Sequence, residues 1–222
     1  MQKQPIPAPS VRIAFRTFGR TLRHSYENLG TLLMGSFLWW VGALLIVSLG
    51  PATAALHRMT QRMTEERASS WMSFGERFRE DWGWSSRLVW TLLLGLVLWE
   101  INRSFYQQSP SPTVQLFSGV FLVITILWIG MLLYAVPVAL RQTEPRLGMT
   151  LRNTALMVIA NLPGMVVSLV LLFLSCLVLL IPPLFLILPG WIALWGEENV
   201  RLLLVASGYL PPDEFADSPR RR

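Results

Sequence analysis

A chain of 222 residues with 53% apolar and only 14% charged side chains lies outside the range of soluble domains, in which about a quarter of residues are charged. The formal charge of +6 comes almost entirely from Arg, with Lys3 the single lysine. Because the Arg residues cluster beside apolar runs, they point to anionic lipid and membrane topology rather than to nucleic acid.

The charge deficit is local. No Asp, Glu, Lys or Arg occurs in residues 30–56, 113–140 or 153–196. A helix rising about 1.5 Å per residue needs about 20 apolar residues to cross a bilayer, and all three stretches are long enough. The expected fold is all-α: a multi-pass transmembrane bundle of about five long membrane helices plus a short returning helix after Gly50-Pro51.

In chain order, residues 1–28 read as a Pro-rich tail, a Ser10 N-cap, and a basic amphipathic helix. In that helix Val11, Phe15, Phe18 and Leu22 recur at helical spacing, with Arg12, Arg16, Arg20 and Arg23 on other faces. Two placements stay open for it, the headgroup region or a cytosolic extension of the first span. A single transmembrane domain follows over 29–208, with spans at about 29–49, 86–106, 114–140, 164–181 and 184–205. The first span resembles the apolar core of a signal peptide, and Ala52-Thr53-Ala54 fits a cleavage pattern, but its length argues against cleavage.

Span one stops at Gly50-Pro51. Proline suits the first turn of a helix, so a second helix starts there, with Ala52, Ala54 and Ala55 as a small-residue packing face. His57, Arg58, Gln61 and Arg62 make that helix too polar to face lipid. Trp71, Phe74, Phe78 and Trp82 mark a further amphipathic helix. Residues 147–160 form another helix, ended by Asn161-Leu162-Pro163-Gly164, with Asn161, like Asn28, as a helix-end cap. Pro182-Pro183 breaks the chain before the last span, where Glu197 and Glu198 are expected at the headgroups. Residues 209–222 form a charged tail.

Arginine placement sets the topology. Strict alternation of five spans divides the Lys and Arg residues 13 to 6, whereas a returning helix at 51–64 divides them 18 to 1. The second division obeys the positive-inside rule, so both termini are expected on the cytoplasmic side. In this geometry Gly50 is the tightest turn, and Arg58 sits deep enough to need a partner, with Glu100 the nearest in height.

The run Gly50-Pro51-Ala52-Thr53-Ala54-Ala55-Leu56, followed by a basic helix, Trp71 and Phe74-x-x-x-Phe78, resembles the hallmark of the YesL-like family of bacterial membrane proteins. Tyr134-Ala135-Val136-Pro137 leading to Arg141, then Arg152-Asn153-Thr154-Ala155-Leu156 with Asn161-Leu162-Pro163, and Leu188-Pro189-Gly190 extend the likeness over roughly residues 20–205. His57 stands where the family usually has an aromatic residue. The resemblance carries over no catalytic residues. It implies a bacterial inner-membrane protein encoded beside ABC transporters for complex sugars, with their permease subunits as candidate partners.

No nucleotide-binding glycine loop, GxSxG, HExxH or CxxC is present, and one cysteine, Cys176, with two histidines makes no zinc site of the usual kind. The expectation is therefore no catalytic residue, no metal and no cofactor. The residues singled out as structural or functional are Gly50, Pro51, Thr53, Arg58, Glu100, Asn161 and Pro163. The leading reading is a non-catalytic auxiliary of a carbohydrate transporter. The alternatives are a small oligomeric permease with Thr91, Glu100 and Asn102 in a polar cavity, or a membrane enzyme on lipid or glycan.

Overall fold

The structure, a computed structural model, describes residues 11–65, 70–182 and 184–211. The expected tail at 1–10, residues 212–222 of the expected tail at 209–222, the Ser10 cap and the second proline of the Pro182-Pro183 break lie outside the described residues. Nine α-helices and no strand occur among the described residues.

Helix α1 (Val11–Glu27) ends where the Asn28 amide donates to the His24 carbonyl, so Asn28 caps it. It docks on the last two helices through a small, hydroxyl-rich face of Ala14, Thr17, Thr21, His24 and Ser25. Small faces let backbones approach closely where lipid removes the hydrophobic drive between helices. The stripe of Val11, Phe15, Phe18 and Leu22 faces outward.

Helices α2 (Leu29–Leu44) and α3 (Leu49–Thr64) form an antiparallel hairpin. Gly42 lies against Ala52, Trp39 Nε1 donates to Thr53 Oγ1 at 3.0 Å, and Gly35 lies against Leu56 and Met59. The turn is the 3₁₀ segment Ile46–Ser48, closed by the Ser48 hydroxyl on the Gly42 and Leu45 carbonyls. The tightest turn is therefore not at Gly50, which lies inside the first turn of α3 with Pro51, and Gly208 is the positive-φ glycine among the described residues. Gly50 is needed for a different approach, against α5.

Residues 71–73 make a 3₁₀ turn into α4 (Phe74–Glu80); Phe74 stacks on Phe78, Phe78 meets Trp82 edge-on, and the two phenylalanines pack against the hairpin. Helices α5 (Trp82–Gln107) and α6 (Pro112–Leu140) pair antiparallel: Trp128 Nε1 donates to the Leu92 carbonyl, Trp99 meets Phe121 and Trp128, and Tyr106 meets Phe117. Helices α7 (Leu147–Ala160) and α8 (Leu162–Leu179) are broken apart at Asn161, and the 3₁₀ segment Leu184–Ile187 leads into α9 (Leu188–Ala206).

Contacts between helices fix how far the hairpin reaches. A Cβ on Gly50 would touch Ser85 and Ser86, and Arg58 meets Asp81 just before α5 begins. Helix α3 thus runs antiparallel to the start of α5, and its tip stops at the first turns. From Ser86 to Gln107, α5 continues for about 32 Å beyond the tip. The hairpin occupies one end of the bundle, and the outer halves of α5 and α6 project past it.

Two cores form, one among α5–α9 and one among α2, α3, α4 and α9, and α9 belongs to both. The outward faces of α5, α6 and α8 stay apolar, with Leu94, Val97, Ile101, Leu116, Val120 and Phe173 exposed. A continuous apolar surface of this kind needs a lipid or protein cover. Helices α5, α6 and α8 are long and apolar enough to cross a membrane. Of the other expected spans, α2 is 16 residues long and α9 carries Glu197, Glu198 and Arg201. The chain is an all-helical, membrane-embedded bundle.

Candidate functional site

Helix α9 carries two neighbouring carboxylates, Glu197 and Glu198, both 0% exposed. The sequence predicts a span end for them. They sit instead in the middle of the helix, between Trp195 and Val200, where an unpaired charge would cost several kcal/mol. Neighbours on a helix point about 100° apart, and the two acids accordingly engage different helices. Glu197 Oε2 accepts from Arg141 Nη1 at 2.7 Å at the end of α6, and Oε1 stands 3.3 Å from His57 Nδ1 on α3. Glu198 Oε2 accepts from Arg20 Nε at 2.9 Å, and its Oε1 lies 3.1 Å from His24 Nε2, both on α1. The His24 contact has the distance of an ion pair without hydrogen-bond alignment, since Oε1 has no hydrogen-bond donor.

Glycines make this junction possible. A Cβ on Gly196 would stand 2.7 Å from the Leu133 carbonyl, so α9 meets α6 backbone to backbone beside Glu197. At the start of α9 the Gly190 N–H donates to Ser36 Oγ on α2 at 3.0 Å. Flanking the acids on α9, Trp195 Nε1 and Asn199 Nδ2 both donate to Ser168 Oγ on α8. Helix α9 is in this way bonded to α1, α2, α3, α6 and α8.

The residues singled out in sequence divide into groups. Thr53 locks the hairpin, accepting from Trp39 and donating to the Leu49 carbonyl at 2.7 Å. Gly50 and Pro51 are buried in α3. Arg58 does not pair with Glu100. It grips Asp81 with two nitrogens, Nε on Oδ2 and Nη2 on Oδ1, and Trp84 Nε1 also donates to Asp81 Oδ1 at 2.9 Å. The Asp81 hydrogen bonds push the Arg58 guanidinium further above its ordinary range. Glu100 lies 19 residues along α5 from Asp81, about 28 Å away, and pairs with Arg103 at 2.8 Å. Arg58 and Glu100 stand at different heights because the hairpin stops at the first turns of α5 instead of crossing most of the bilayer.

Asn161 is not a side-chain cap. It is 4% exposed, neither of its amide atoms has a hydrogen-bond partner, and it folds over Gly164, where a Cβ would stand 2.5 Å from Oδ1. Pro163 occupies the first turn of α8, where its missing N–H costs nothing.

The pair on α3 yields a sharp test. Arg58→Ala is expected to destabilise more than Arg62→Ala. A double-mutant cycle of Arg58→Ala with Asp81→Ala should show coupling of about 1–3 kcal/mol, and the cycle with Glu100→Ala coupling under about 0.5 kcal/mol. Thermal unfolding in detergent reads both.

A cavity of about 620 Å³ opens beside the junction, among the ends of α1, α6, α7 and α9. Arg141 belongs to both the junction and the cavity wall. A larger groove of about 930 Å³ follows the outer half of α5 at Glu100, Ser104 and Gln108 and is open to the surroundings. Neither Thr91 nor Asn102 lines it. The described residues contain no group of three or more His, Cys, Asp or Glu side chains arranged for a metal.

No curated protein matches the chain, and no solved structure does. Residues 32–103, from α2 through most of α5, match the family described as "Protein of unknown function, DUF624".

Proposed function

We propose that the chain is a non-catalytic component of a bacterial inner-membrane assembly, an auxiliary or assembly partner of a carbohydrate ABC transport system, with both termini cytoplasmic. The observation that carries this reading is the use the bundle makes of its buried acids. Glu197, Glu198 and Asp81 are each held by basic groups of their own bundle, as a helix junction requires, and stand as structural charges rather than as acids and bases facing a substrate. The outer halves of α5 and α6 offer a long apolar surface suited to lipid and to the helices of a membrane partner. The transporter context comes from the YesL-like resemblance alone. Orientation draws support from the clustering of basic residues at the end of the bundle where α5 starts and α6 stops, against Arg103 near the α5–α6 loop.

A tagged chain extracted from native membranes in mild detergent tests the reading. Near-stoichiometric recovery of a permease subunit is the expected result. A monodisperse chain without partners, or solute flux through the chain alone in liposomes, overturns it. Flux would favour a small permease, for which the groove beside Glu100 is the starting point.

A further inference from the structure

The cavity beside the α9 junction has a one-sided chemistry. Its walls are largely apolar, with Ile13, Leu156, Met157, Leu203 and Leu204 contributed by α1, α7 and α9. Its polar lining comes from Arg141, Gln142, Asn153, Asn161, Ser207 and Tyr209, with no carboxylate. Arg141 meets Glu197 and the Pro137 carbonyl through the same nitrogen, Nη1. Gln142 has given its acceptor to the Thr150 hydroxyl at 3.0 Å, and its buried Nε2 has no partner. Asn161, more than nine-tenths buried in the same wall, has an unpartnered Nδ2 and Oδ1. A buried polar group without a partner is costly, and here the unpartnered amides of Gln142 and Asn161 belong to one cavity wall. Outside the lining, Arg146 is paired with Glu144 at 3.1 Å, and Arg152 is exposed on α7, one residue from Asn153.

We infer that this cavity binds an acidic amphiphile, with the anionic head on Arg141, Gln142 and Asn161 and an acyl chain along the α1, α7 and α9 walls. Arg141 shares Nη1 between Glu197 and the Pro137 carbonyl, and its other N–H groups, beside the unpaired amides of Gln142 and Asn161, select an acceptor-rich head, since charge-assisted hydrogen bonds are the strong ones. The apolar wall selects a chain over a free anion, and the volume lies within the range of small-molecule sites. This inference does not depend on the transporter reading.

The full chain is reconstituted in vesicles of equal phosphatidylglycerol and phosphatidylcholine, extracted gently, and weighed by native mass spectrometry. One phosphatidylglycerol per chain is expected, retained at least about tenfold over phosphatidylcholine, the equivalent of about 1.4 kcal/mol. Leu204→Trp, which fills the cavity, and Asn153→Leu, which removes an exposed polar side chain of its lining, should both lower retention. Arg152→Ala should leave it unchanged. Displacement of the lipid by free oleate supports the same site with a free acid as its source. Equal retention of both lipids, displacement by inorganic phosphate alone, wild-type retention in both cavity variants, or an equal loss in Arg152→Ala overturns the inference.

Discussion

Glu197→Ala is expected to lower stability by about 3–5 kcal/mol, the cost of leaving the partner of a broken buried pair uncompensated. The fully buried carboxylate holds Arg141 and faces His57, so its removal strands a guanidinium that the Pro137 carbonyl alone does not neutralise. Glu197→Gln should lose less, because the amide oxygen still accepts from Arg141. Replacing both partners, Glu197→Leu with Arg141→Leu, should recover much of the loss, since apolar substitutes for a buried ion pair are often neutral. Glu100→Ala serves as the contrast: its pair with Arg103 is part-exposed and local to α5, and its loss should barely move the unfolding midpoint. Thermal unfolding of the purified variants in one detergent ranks them. Equal midpoints for Glu197→Ala and Glu100→Ala would remove the junction from the account.

Gly50→Val is expected to abolish most folded protein. The Cβ would stand 2.6 Å from Ser86 Cα and 2.8 Å from its nitrogen, so the clash is with backbone and no side chain can swing away. Overpacking typically costs about 1–3 kcal/mol where side chains adjust, and a displaced helix raises that figure. Helix α3 would have to leave α5, and the Arg58–Asp81 contact about two turns further along α3 would go with it. Gly119→Val on α6, with no atom within 4 Å of the new Cβ, should fold like the parent. Size-exclusion yield and thermal midpoint in detergent separate the two. A Gly50→Val chain as abundant and stable as Gly119→Val contradicts the close approach of α3 to α5.

Much of the architecture was written in local patterns. The charge-free runs over 113–140 and 153–196 located α6 and α8, helical spacing located α1 and the aromatic series from Phe74 to Trp82, and the bounds of α7 agree with the reading of residues 147–160. The need for glycine at 50 was legible too, but its cause was not, because the neighbour that demands it lies 36 residues away on α5. Arg58 was rightly expected to need a partner. The choice of Glu100 rested on counting residues through a bilayer, while the hairpin in fact stops at the first turns of α5 and brings Asp81 within reach.

The junction on α9 was missed because a charged pair after an apolar run resembles a span end. A signal was present. Glu197 and Glu198 have apolar residues on both sides, from Leu188 to Trp195 and from Leu202 to Val205, so a helix through them buries the acids. Buried acids require bases, and His57 and Arg141 are basic residues that directly follow charge-free apolar stretches. Which base meets which acid is a matter of tertiary packing, and no spacing encodes it.

In the proposed topology the basic end of the bundle, holding the α2–α3 hairpin and the α9 junction, lies on one side of the membrane and the α5–α6 loop on the other. Single cysteines on a Cys176→Ser background, labelled with a membrane-impermeant maleimide in intact and in opened cells, test this most directly. Arg12→Cys, Gly75→Cys and Thr143→Cys are expected to label only when the cytoplasmic face is opened, and Gln108→Cys to label from outside in intact cells. Arg12 and Gly75 on opposite faces, or Gln108 labelling together with Gly75, would contradict it.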